Sequence, residues 1–235
     1  LRAGRASCRV VALVVTEALG YIAASRPDAG ASPDSVTGLS TTAGVQMGIV
    51  SQSSMGWESF QDVIDAAQGG AELRFGAMSP KLADLAFLLG EANGAEFNII
   101  EVRGGRAVRD GVTAGDMDLG FMAGIQAKGV AAGDLVNLAS ALSGPLKQTP
   151  DAPTFADLGV PFNADGYFVF VAPAGLPDDA RKALTDALVA ASNAGQAGEM
   201  IGRAFGGTVN ISGADLDALL QADFEGASAL IEAAQ

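Results

Sequence analysis

Three short turns between apolar runs carry the residue types that can hold an anion: Ala77-Met78-Ser79, Arg103-Gly104-Gly105 and Ala123-Gly124. Each follows a strand-like run and precedes a helical one, so each is read as the start of a helix. The first N–H groups of a helix have no acceptor within it and sit at the positive end of its dipole. In α/β sheets, ligands bind where such helix starts meet the carboxyl ends of parallel strands, and anions suit them best. One contact of this kind is worth about 0.3–1 kcal/mol when exposed and up to ~2 kcal/mol when partly buried. Two or three converging starts could therefore hold a carboxylate, and Lys81 and Arg103 could neutralise it. Each of these residues also has a plainer role. Gly104-Gly105 suits a tight turn with no ligand, Ser79 a helix cap, Met78 packing at a strand end, and the two cations a solvated helix face.

Other chemistry is thin. The 235-residue chain has no histidine and one cysteine, Cys8. That removes Ser-His and Cys-His nucleophile pairs, histidine metal sites and any intrachain disulfide. No dinucleotide fingerprint or phosphate loop is present, so neither cofactor nor metal is expected. Asp116 and Asp118 look like a carboxylate pair. Asp116 falls in the turn before a strand and Asp118 at that strand's start, at the sheet end opposite the anion site, which rejects a catalytic role. Fourteen basic against 27 acidic residues give a net charge of -13, which repels nucleic acid and anionic membrane. No apolar run reaches the ~18 residues of a membrane span. Arg2, Arg5 and Arg9 ahead of Val10 to Val15 are slightly similar to a signal peptide, but the apolar stretch is short and Glu17 interrupts it. A helix is expected there instead.

The elements that must position the turns read most clearly in the middle of the chain. Strands are expected at 73–77, 97–102, 117–122 and 135–141, alternating with helices at 80–92, 106–113 and 125–132. That is the pattern of βαβ units and a largely parallel sheet. Ser79 as cap, Pro80 at the first helical position and Asn93-Gly94 as the stop frame the first helix. Upstream, 45–50 is expected as a strand, and Ser59 with Asp62 opens a helix through a capping box. Downstream come a strand at 167–172, a helix opened by Pro177, Asp178 and Asp179, and a last helix with Ser212 as its cap.

Two blocks are more specific. One is Thr149-Pro150-Asp151-Ala152-Pro153-Thr154-Phe155-Ala156-Asp157-Leu158-Gly159; the other is Val102-Arg103-Gly104-Gly105 followed by Ala114-Gly115-Asp116-Met117-Asp118-Leu119-Gly120-Phe121. Together they resemble the extracytoplasmic solute-binding proteins of tripartite tricarboxylate transporters, the Bug family, whose blocks run roughly "PDVPTFAELG" and "YKGG…GGQVDLxF". Ser25-Arg26-Pro27-Asp28-Ala29-Gly30-Ala31 resembles the family's "NRPGAGG", and Val11 to Gly20 the helix ahead of it.

The resemblance implies an α/β, two-lobed periplasmic-binding-protein-like fold of type II, each lobe a mostly parallel sheet flanked by helices. The middle lobe would span 55–142 and the discontinuous first lobe 1–54 and 143–235. It implies a periplasmic monomer, not an enzyme, that captures a small carboxylate between its lobes and delivers it to the membrane permease subunits of a tripartite transporter. It also brings Gly4 and Ser7 into the ligand set, because Ala3-Gly4-Arg5-Ala6-Ser7-Cys8-Arg9 aligns with a glycine-rich "PGGGxD" turn. Arg9 stands there in place of the aspartate. The family's "PDGYTLL" strand and much of the adjoining sequence on its C-terminal side are missing between Ala31 and Val45, so the first lobe is expected to be shortened and its first strand cut. A ligand sensor of the same fold that signals to a partner protein, or an enzyme on that fold, are the other readings.

Overall fold

The computed structural model describes residues 10–235. Two compact units divide the chain: one takes residues up to Val45 and Gly166–Glu232, the other Gln46–Asp165 with Ala233–Gln235. In chain order, β1 (Ala12–Val15), α1 (Tyr21–Ser25) and β2 (Val36–Gly44) come first. The middle stretch holds β3 (Met47–Gln52), α2 (Phe60–Gln68), β4 (Leu73–Ala77), α3 (Pro80–Asn93), β5 (Phe97–Glu101), α4 (Gly105–Ala114), β6 (Leu119–Ala123), α5 (Ala127–Ala132) and β7 (Leu135–Ser140). The chain ends with β8 (Tyr167–Pro173), α6 (Asp178–Ser192), α7 (Gly195–Phe205) and α8 (Gly213–Ala233).

The sheet of the first unit runs β1-β8-β2 and is antiparallel throughout. This corrects the expectation of a mostly parallel sheet there, because its strands come from distant parts of the chain and no helix crossover joins them. Residues alternate between the two faces of a strand. Val169 and Val171 join Leu216 and Leu220 of α8 in one core cluster, while Phe168 and Phe170 line an apolar cavity with Leu188 of α6 and Ile201 and Phe205 of α7.

Two segments of this unit differ from the sequence expectation. Val10 to Val15 does not form a helix; Ala12–Val15 is a strand paired with Phe168 to Val171. Four valines in six residues favour the pleated surface, where branched side chains keep their rotamers. Between Ala31 and Val45, where no full strand was expected, β2 runs for nine residues. Its Gly, Ser and Thr residues give no alternation to read, yet Ser40, Thr41 and Thr42 are buried. Their burial is tolerated because the hydroxyls are paired: Thr41 Oγ1 donates to the Val209 carbonyl and accepts the N–H of Ile211, and Ser40 Oγ donates to the Thr41 carbonyl.

The second unit has a five-stranded sheet in the order β5-β4-β6-β3-β7. β4 pairs parallel with both β5 and β6, and β3 pairs antiparallel with β6 and β7. One antiparallel strand therefore sits inside an otherwise parallel sheet. On one face, Phe75 packs against Phe97 and Phe121 at ring-centroid distances of 5.3 and 4.9 Å, and Phe155 follows at 6.2 Å from Phe121.

On the other face α4 lies very close to the sheet. A Cβ at Gly120 would stand 2.5 Å from Val108 Cγ1 and 3.0 Å from the Gly76 carbonyl oxygen, and one at Gly76 would stand 2.5 Å from Met117 Sδ. Only glycine allows this approach.

The block from Thr149 to Gly159 is a structural strap. Phe155 is fully buried beside Phe121. Thr154 and Asp157 cap each other, the threonine donating through its N–H (2.8 Å) and hydroxyl (2.7 Å) to Asp157 Oδ2. The Pro153 carbonyl accepts the N–H of Ser140 at 2.7 Å, tying the strap to the end of β7.

Asp118 lies at the start of β6 and meets Arg74 at the start of β4, with guanidinium bonds of 2.8 and 3.0 Å and a third bond from the Arg74 backbone N–H at 2.8 Å. The carboxylate is thus committed to structure. Burial pushes its pKa up, but the Arg74 hydrogen bonds and charge outweigh that and hold it below its ordinary 3.8. A depressed acid stabilises the fold above its unfolded pKa and loses that contribution as pH falls through the folded value. Urea midpoints of the wild type therefore drop below about pH 4, and Asp118→Asn is expected to lose less over the same window while being weaker by ~1–3 kcal/mol at pH 7. Equal acid slopes for the two chains would show that the pair contributes nothing.

Candidate functional site

Because β5, β4 and β6 are neighbours and run the same way, the turns that leave their carboxyl ends share one edge of the sheet. The turn after β4 is Met78-Ser79, that after β5 is Val102 to Gly104, and that after β6 starts at Gly124. Contacts tie them together. The Val102 N–H donates to the Ala77 carbonyl at 2.9 Å. At Gly105 an added Cβ would lie 3.4 Å from Met78 Sδ and 4.0 Å from Ile125 Cγ2. Ala77, Met78, Ser79, Arg103, Gly104, Gly105, Ala123 and Gly124 are all placed on this edge, whereas Gly4 and Ser7 lie outside the described residues.

The free donors can be followed turn by turn. At the start of α3, Pro80 has no N–H, Ser79 Oγ accepts from Leu82 at 3.3 Å and the Ser79 carbonyl accepts from Ala83 at 3.0 Å. The Lys81 N–H is what this helix start has to offer. At the start of α4, Gly104 has φ 82° and ψ 156°, and its carbonyl accepts from Ala107 at 3.1 Å. First-turn N–H groups lack intrahelical acceptors, so those of Gly105 and Arg106 are the donors of this turn.

The third turn differs. The Gly124 N–H donates to Gln126 Oε1 at 2.7 Å, and α5 is only six residues long. It contributes shape through the exposed Ile125 more than a donor.

Charge around the edge is mixed. Arg103 is exposed, Lys81 half-buried, and neither makes an ion pair among the described residues. Two acids missed by sequence reasoning stand nearby: Glu101 ends β5, and the Asp84 carboxyl is pushed above its usual range by burial and then by the Glu101 charge. Their signal in the sequence was only their offset from the two turns. Gln126 was also missed, since a buried glutamine has no sequence mark. Among the described residues no group of three His, Cys, Asp or Glu is arranged to hold a metal ion, and no helix is long and apolar enough to cross a membrane.

Solved structures share this architecture. MatC of Rhodopseudomonas palustris, with bound malate, is 14% identical, with a TM-score of 0.75 over 96% of this chain and 79% of its own. An R. palustris protein with adipate is 19% identical, with a TM-score of 0.79 over 95% and 77%. A TctC solute-binding protein from Polaromonas, without ligand, is 16% identical, with a TM-score of 0.68 over 94% and 77%. At these identities the likeness is one of fold, and the fold is that of the periplasmic binding proteins. No curated protein matches the chain in sequence. The model of the tripartite tricarboxylate transporter family receptors matches residues 30–235, and the chain belongs to that family.

Proposed function

We propose that this protein is a periplasmic receptor that holds one carboxylate of a small organic acid at the carboxyl edge of β5-β4-β6 and passes the acid to the membrane permease of a tripartite transporter. One observation carries this reading: parallel β4 and β5 bring the starts of α3 and α4 side by side, with Met78 against Gly105. The Gly105 and Arg106 N–H groups would bind one oxygen, and the Lys81 N–H the other. Arg103 and Lys81 would offset the negative charge contributed by Asp84 and Glu101. Family membership supports a receptor role, and the malate and adipate in two proteins of the same fold support a dicarboxylate as ligand. Binding and release, with no bond made or broken, is the whole of the proposed chemistry.

A thermal-shift series with malate, adipate, citrate and acetate tests this. At a hundredfold excess over Kd, one-site binding adds about 2.7 kcal/mol. A chain of this size gains ~2 to 4 °C per kcal/mol, so the expected rise is roughly 5 to 11 °C with one or more of the di- or tricarboxylates. A cooperative melt that none of the four acids moves overturns the reading.

A further inference from the structure

Gln126 is 1% exposed, and its amide is engaged at both ends. Oε1 accepts the N–H of Gly124 at 2.7 Å, and Nε2 donates to the carbonyl of Gln46 at 3.0 Å. Gln46 is the first residue of the second unit, where the chain has just left the first. Its own Oε1 accepts the N–H of Lys147 at 2.9 Å. Two amides in series thus link three segments: the turn after β6, the crossing at residue 46 and the loop after β7. Space for this link depends on Gly48, where a Cβ would lie 3.4 Å from Gln126 Nε2 and 2.9 Å from Asn137 Oδ1.

We infer that Gln126 is a positioning residue that locks the turn after β6 to the crossing segment at Gln46, so that a ligand seated against the turn is felt at that crossing. The residue type follows from the two partners. Gly124 presents a donor and Gln46 an acceptor, and a planar amide with one acceptor and one donor end satisfies both. Ionised glutamate would keep the first bond and lose the second; methionine, of similar length, loses both. The inference rests on the reading of this edge as the carboxylate site, but the lock itself is measurable without ligand.

Gln126→Met and Gln126→Glu are compared with the wild type by amide hydrogen exchange at Gly124 and Lys147, and by calorimetry with malate, adipate and citrate. In the methionine chain, exchange is expected to rise at least tenfold at both amides, the Lys147 effect passing through Gln46, and affinity for whichever acid binds is expected to fall at least tenfold. In the glutamate chain at pH 7, Gly124 stays slow while Lys147 accelerates. Unchanged Lys147 exchange in the methionine chain, or affinity within twofold of wild type, overturns the inference. Should the methionine chain not fold, Lys147 exchange in the glutamate chain decides in the same way. A wild type that binds none of the three acids sinks the receptor reading, while the exchange rates still decide the lock.

Discussion

Valine in place of Gly120 is expected to lower the melting temperature by roughly 6 to 12 °C. The clash arises at the first added carbon. A Cβ at this position stands 2.5 Å from Val108 Cγ1, 3.0 Å from the Gly76 carbonyl oxygen and 3.2 Å from the Gly76 Cα. Val108 and Val112 are fully buried, so α4 has nowhere to go without opening the cluster they share with Met117 and Met122. The backbone of β4 can yield only by breaking its pairing with β6. Overpacking of this kind costs about 1–3 kcal/mol, and a clash with backbone belongs at the top of that range. At ~2 to 4 °C per kcal/mol the stated drop follows, and scanning calorimetry reads it. A midpoint within 2 °C of wild type would mean that α4 does not lie this close to the sheet. The distance matters for function, because α4 carries Gly105 and Arg106 at its start.

The second large effect concerns binding rather than folding. Gly104→Val is expected to weaken carboxylate affinity roughly a hundredfold, about 2.8 kcal/mol at 1.4 kcal/mol per tenfold. No atom lies within 4 Å of a Cβ at Gly104, so crowding is not the cause. Its φ of 82° and ψ of 156° are the cause, since this region is essentially reserved to glycine. Valine forces the turn into another conformation at a strain of order 1–3 kcal/mol, and the N–H groups of Gly105 and Arg106 turn with it. Calorimetric titration with the acid that shifts the wild-type melt is the measurement. Retained affinity in a folded variant would remove this turn from the site.

The middle of the chain was legible because each element carried its own local signals. Ser79 caps α3, Pro80 begins it and Gly94 ends it in the left-handed conformation, all as the residue types indicated. Ser59 and Asp62 likewise form the expected capping box. What escaped was whatever depends on partners distant in sequence. β2 is a strand because β8, more than 120 residues away, completes its hydrogen bonds. α7 carries glycines at 195, 198 and 202, poor helix formers, and is held by Ile201 and Phe205 packing beside Phe168. At the candidate site, the turns could be placed from strand and helix punctuation, since their position follows from topology. Which donors remain free could not, because that depended on Gln126 reaching back two residues to Gly124. The block from Thr149 to Gly159, most distinctive as text, proved to be a packing element around Phe155.

The antiparallel pairing of β2 with β8 extends to Gly44 opposite Tyr167, and the Val45 N–H donates to the Gly166 carbonyl at 2.9 Å. The ends of the first unit's two chain segments therefore meet like the stems of a hairpin, and residues 46–165 form an insert whose entry and exit lie side by side. Such an arrangement suits excision: a two-residue type I′ turn such as Asn-Gly can bridge Val45 to Gly166 and close β2 onto β8 as a continuous hairpin. The fold is in this sense modular, with the proposed ligand-bearing half encoded as one continuous insertion between β2 and β8.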